Sequence, residues 1–147
     1  DTPSVVMFQG AQSYITPGWY PGKAEHGKVV PTWNYVVAHA HGTARVIEDP
    51  TWMLNMLNRL TDSQESGQTL PWRVEDAPPD YIRKLMRGIV GIEIRIARVD
   101  GKLKASQDED MQDRHGTVKG LQSNHSQQSQ NMAELVLGAL TSEAPQS

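Results

Sequence analysis

The sequence contains no cysteine, which excludes disulfides, thiolate nucleophiles and thiolate metal sites. No apolar run approaches the roughly 18–20 residues that cross a bilayer, and no signal-peptide pattern opens the chain. A cytoplasmic location with no membrane partner is therefore expected. The formal net charge of −3 gives no global attraction to nucleic acid, so DNA as a partner would need a local basic surface. No helix-turn-helix supports such a surface. The P-loop, the Rossmann fingerprint, the nucleophile elbow and zinc-finger spacing are absent too, as are internal repeats. Hydrophobic content is low at 37%, partly because the C-terminal segment is polar, and 147 residues suit one domain with a real core.

What the chain does have is concentrated between Gly18 and Gly42. A loop rich in Gly and Pro carries two aromatics, Lys23, Lys28, Glu25 and His26, and runs directly into a strand. Period-2 alternation on that strand sets Thr32 and Asn34 on one face and Trp33 and Tyr35 on the other. Loops anchored on a rigid strand are where binding residues concentrate, and this stretch reads as one wall of a cofactor site. The plainer reading is a strand buried on both faces, with Thr32 and Asn34 bonded to neighbouring backbone.

Along the chain, residues 4–9 and 13–16 read as two short strands joined by a hairpin, with Gly10 as the break. Residues 29–41 form the central strand, continuing past a kink at Gly42. Asp49-Pro50 starts a helix with Met53, Met56, Leu57 and Leu60 as its apolar stripe. Trp72 is expected to pin the following segment to the core. A second helix opens at Pro78-Pro79-Asp80, with Tyr81, Ile82, Leu85 and Met86 facing inward. Residues 89–99 alternate as a half-buried strand, and Asp100-Gly101 predicts a tight hairpin returning through Lys102, Lys104 and Ser106. A weakly amphipathic helix follows from Gln107. Residues 123–130 read as a polar linker, 131–140 as a short terminal helix, and the last seven residues as a disordered tail. Helices packed outside an antiparallel sheet or barrel is the architecture these elements suit.

Each candidate site has a bland alternative. A loop lysine can meet a phosphate or simply be solvated. Lys104 and Ser106 suit phosphate or ribityl oxygens, or belong to an edge strand blunted by lysine. His39 and His41 share a strand face but have no third ligand, so no metal site is expected. His26 has no nucleophile partner. Residues 83–104 hold seven Lys/Arg against two Asp/Glu. Because they alternate across different elements, they read as a scattered solvated face.

The run from Tyr14 to Tyr35, Tyr-Ile-Thr-Pro-Gly-Trp-Tyr-Pro-Gly-Lys-Ala-Glu-His-Gly-Lys-Val-Val-Pro-Thr-Trp-Asn-Tyr, resembles the hallmark of the PaiB-type FMN-binding negative transcriptional regulators. The resemblance continues through Asp49-Pro50, Pro71-Trp72 and Asp76-Ala77-Pro78, then Ile89 to Ile94 and Gly101 to Gln107. It implies a mainly β fold: a split β-barrel with flanking helices, like the pyridoxamine-phosphate-oxidase-like flavoproteins. FMN would be held between the two subunits of a homodimer. The domain would span residues 1–121, with the linker, terminal helix and tail in 122–147. Family members carry further strands before the position of Asp1, so a separate N-terminal fragment is an expected partner. Carried over by position, Lys23, Thr32, Trp33, Asn34, Lys104, Ser106 and Gln107 are the implied FMN contacts. The chain departs from the family pattern at Arg95, Leu103 and Asp108, and a negative Asp108 near the phosphate end would oppose the anion. The implied role is a negative regulator. An FMN-dependent oxidoreductase, or a haem-handling split barrel using His26, His39 or His41, is the alternative.

Overall fold

The computed structural model describes residues 1–142, so the tail expected over 141–147 lies, beyond Ser142, outside the described residues. The first strand, β1, runs unbroken over Thr2–Ile15, correcting the expected hairpin. Gly10 is not a turn. A Cβ there would lie 3.2 Å from Val36 Cβ on the neighbouring strand, so the glycine marks close approach within the sheet. A 3-10 turn over Pro17–Trp19 and the single turn α1 (Gly22–Glu25) then lead into β2, Thr32–Ile47. Helix α2 (Pro50–Glu65) starts where the sequence predicts, with Asp49 Oδ1 accepting the Thr51 N–H at 2.8 Å. Helix α3 covers Pro79–Met86 and β3 covers Gly91–Lys104.

β3 passes through Asp100-Gly101 without turning, so the predicted hairpin is absent. The reason lies in its pairing with β2, which is maintained on both sides of Gly101. Arg45 bonds Glu93 near the start of β3, and Lys104 bonds Thr32 at its end. A long antiparallel ladder outweighs the turn preference of two residues. The strand order is β1-β2-β3. Partners on β3 fall in number as β2 rises, from Lys104 opposite Thr32 to Arg95 opposite Gly42, which makes the pair antiparallel. This three-stranded sheet with its helices does not close into the expected barrel. Among the described residues β1 and β3 are both edges, and closure requires more strands.

Helix α4 spans Met111–Ser123, starting at an Asp110 cap rather than at Gln107, and α5 spans Gln127–Ser142. The predicted linker over 123–130 therefore shrinks to a three-residue connection. Its serine acts as a helix cap: Ser126 Oγ accepts the Ser129 N–H at 3.1 Å. No helix among the described residues is long and apolar enough to cross a membrane.

The chain divides into two compact units. One comprises Val5–Ala40 and the chain from Arg98 onward. Its core joins Ile15 with Leu121 of α4 and Met132 and Val136 of α5, all fully buried. The other comprises Asp1–Ser4 and His41–Ala97, and Met53 and Val74 are its buried hydrophobic side chains. Tyr81 and Leu85, expected inward, are 55% and 52% exposed, and Trp72 is also exposed.

Candidate functional site

Four of the seven sequence-predicted residues come together where β2 begins and β3 ends. Lys104 Nζ donates to Thr32 Oγ1 at 2.6 Å, and Asn34 Nδ2 donates to Ser106 Oγ at 2.8 Å. Both pairs join residues 72 apart in sequence: antiparallel pairing sets Lys104 against Thr32, and the turn that follows the end of β3 brings Ser106 to Asn34. Asn34 and Ser106 are buried, and Asn34 Oδ1 has no hydrogen-bond partner among the described residues. Ser106 adopts φ +58, a left-handed conformation unusual for a residue with a side chain. The Asn34 bond holds it there, as does its own carbonyl, which accepts the Glu109 N–H at 3.2 Å.

The other three residues are placed differently. Gln107 is spent on the backbone turn at the end of β3, accepting the Ala105 N–H at 2.6 Å and donating to Leu103 O at 3.1 Å. Trp33 lies on the opposite strand face, 54% exposed and edge-on to Tyr14 at 5.9 Å. Lys23 is exposed on α1, and no hydrogen bond or ion pair among the described residues joins it to the Thr32–Lys104 group.

Helix α4 positions the loop that carries Lys23, a role the sequence reading missed. Asp113 Oδ1 accepts the Gly22 N–H at 2.9 Å in a buried bond. Trp19 lies on the glycines of α4. A Cβ on Gly116 would sit 2.0 Å from Trp19 O, and one on Gly120 would sit 2.1 Å from Trp19 Cδ2. Their i, i+4 spacing was the available signal, since it puts both glycines on one helix face. The loop histidine, His26, accepts the Lys28 N–H on Nδ1 at 3.0 Å, a local turn bond.

The turn between β3 and α4 is strongly acidic. Burial, then the charges of Asp108, Asp113 and Asp110, push the Glu109 carboxyl upward, and only Lys104 opposes them. Tyr20 is pushed up to about 12, chiefly by burial and then by Glu109 and Asp113. Its hydroxyl faces Thr117, which offsets part of the rise, although neither hydroxyl completes a hydrogen bond among the described residues.

The chemistry of the donor set fits FMN. Lys104 supplies a cation for phosphate, and Thr32 and Ser106 supply hydroxyls suited to ribityl or phosphate oxygens. Asn34, bonded to Ser106, keeps a spare acceptor in its Oδ1. The acidic turn, with Asp108 and Glu109, would oppose an anion placed beside it.

Comparison with known proteins points to the same cofactor. The family described as "Putative FMN-binding domain" matches residues 1–98. An uncharacterized protein of Emericella nidulans is 38% identical over 129 residues, covering 80% of this chain and 51% of its own length. An uncharacterized protein of Aspergillus fumigatus is 36% identical over 134 residues, with the same two shares. Protease synthase and sporulation protein PAI 2 of Bacillus subtilis is 29% identical over 132 residues, covering 90% of this chain and 61% of its own length. The chain thus spans about half the length of the fungal relatives it matches. It belongs to the PaiB-type FMN-binding domain family, and FMN is its cofactor.

Proposed function

We propose that this chain is the flavin-binding part of a cytoplasmic, homodimeric PaiB-type regulatory protein with a split-barrel architecture. The observation that carries the flavin site is the pair of links at one end of the sheet, Lys104 to Thr32 across the strands and Asn34 to Ser106 in the turn after β3. In this reading Lys104 and Thr32 face the phosphate. Ser106, held by Asn34, offers its hydroxyl to the ribityl chain. Lys23 joins the site from the neighbouring loop, Trp33 forms its wall from the opposite strand face, and Gln107 shapes the turn at the end of β3. Bound FMN supplies redox chemistry, and the side chains bind and orient it.

The regulatory reading rests on the family resemblance and on the Bacillus relative, whose name ties it to protease synthesis and sporulation. FMN titration followed by fluorescence tests the site. About one FMN per chain is expected, with Lys104→Ala weakening binding by about tenfold or more. Undiminished affinity in that variant would remove Lys104 from the site. For the regulatory role the test is salt-sensitive, sequence-selective DNA binding by the full-length dimer. Rapid NAD(P)H reduction of the bound flavin without DNA binding would instead favour the oxidoreductase reading.

A further inference from the structure

The unit formed by His41–Ala97 contains a cleft of about 770 Å³ that shares no residue with the flavin group. One wall is the start of α2 and another is α3. The connector before β3 forms the third. A close contact fixes that connector: Gly91 lies against Trp52 so tightly that a Cβ would be 2.3 Å from the indole ring. This sets Ile89 and Val90 against the cleft, where they are about half exposed. Met53, almost fully buried, and Met86 complete the apolar lining. Methionine surfaces repack readily around ligands of differing shape.

The charges at the rim are unequal. Arg83 is paired with Asp80, so the two cancel. Glu48, Lys84 and Arg87 also line the cleft, and none of the three forms an ion pair among the described residues. Two cations against one carboxylate leave a single unmatched positive charge beside an apolar surface. A cleft of this size falls within the usual range for small-molecule sites.

From this combination we infer that the cleft binds a monoanionic amphiphile: a small carboxylate with an aliphatic or aromatic body. The carboxylate meets Arg87 and Lys84, and the body lies on Met53, Met86 and Val90. A planar guanidinium matches a carboxylate with two parallel bonds. Glu48 disfavours a doubly charged head such as phosphate, because the residual rim charge balances only one negative charge.

Calorimetric titration of the full chain with decanoate, below its micelle-forming concentration, tests the inference. One saturable site per chain is expected, with decan-1-ol binding about tenfold more weakly or worse. The Lys84→Ala/Arg87→Ala double variant should lose decanoate affinity by a similar factor, while Arg59→Ala, on a residue outside the cleft, should not. Lys84 and Arg87 are exposed, so the double variant should keep its circular dichroism spectrum and melting temperature. Val90→Glu places a like charge on the apolar wall and should abolish binding independently. No saturable binding, equal binding of the alcohol, or a double variant as tight as the parent would overturn the inference.

Discussion

Two helices with similar apolar stripes behave in opposite ways in the two units. In α5, Met132 and Val136 are fully buried; in α2, Met53 is buried but Leu60 is 52% exposed. The difference lies in the partner. Helix α5 folds back on α4 after three residues, and the glycines of α4 in turn admit Trp19 to its surface. Helix α2 has no such neighbour within its unit, and Leu54 and Leu60 remain exposed. A stripe at helical spacing therefore shows which face a helix offers, while its stability depends on whether another element covers that face.

The largest expected effect comes from truncating equivalent stripes. Met132→Ala should cost about 2–5 kcal/mol, as for other buried large-to-small changes. Leu60→Ala should cost about 1 kcal/mol or less, since half its surface is already in water. Denaturant unfolding of both variants measures the gap, and equal losses would erase the distinction between the units.

A sharper probe uses glycine. Gly120→Ala forces a methyl into the Trp19 ring and should destabilise by about 1–3 kcal/mol. Gly138→Ala in α5 meets nothing within 4 Å, so it should stabilise by about 0.5–1 kcal/mol through helix propensity alone. Melting temperatures should thus shift in opposite directions. Two shifts of the same sign would mean that Gly120 is not held by Trp19.

These contrasts explain what was legible from the sequence. Helices α2 and α3 could be read because Asp49-Pro50 and Pro78-Pro79 carry their own start signals. The pairing of Thr32 and Asn34 on one strand face was also legible, because period 2 is local. Gly10 and Asp100-Gly101 misled because both carry turn chemistry, whereas the chain uses them inside long strands. Only the non-local ladder with β2 decides between these outcomes. Asp113 and the Gly116–Gly120 face are not legible locally because their partners, Gly22 and Trp19, lie about ninety to a hundred residues away in sequence. Trp33 was assigned correctly to the face opposite Asn34, and its exposure shows what that face lacks among the described residues.

The packed unit also gathers charge, which gives a smaller effect on ligand binding. Asp108 lies in the acidic turn beside Glu109, which is itself within reach of Lys104. Asp108→Asn removes one repulsive charge and should tighten FMN binding by about two- to tenfold, more at low ionic strength than at high. Fluorescence titration at two salt concentrations measures this. No change would place the phosphate away from the acidic turn.

The smallest expected effect is a pH dependence, and its sign follows from the same turn. The Glu109 carboxyl is pushed up by burial first and by Asp108, Asp113 and Asp110 after that. Its folded pKa therefore exceeds its unfolded one, so the folded chain holds this proton more tightly. The stability it contributes is fully present below the unfolded value, near 4.5, and is lost as pH rises through the higher folded value. At neutral pH an ionised Glu109 is thus a net burden, a modest one because the group is only partly buried. Glu109→Gln removes that burden and should raise the melting temperature slightly at pH 7 but not at pH 4. A variant whose gain is the same at both pH values would trace its effect to packing or hydrogen bonding, and the turn would then not be a site of charge strain.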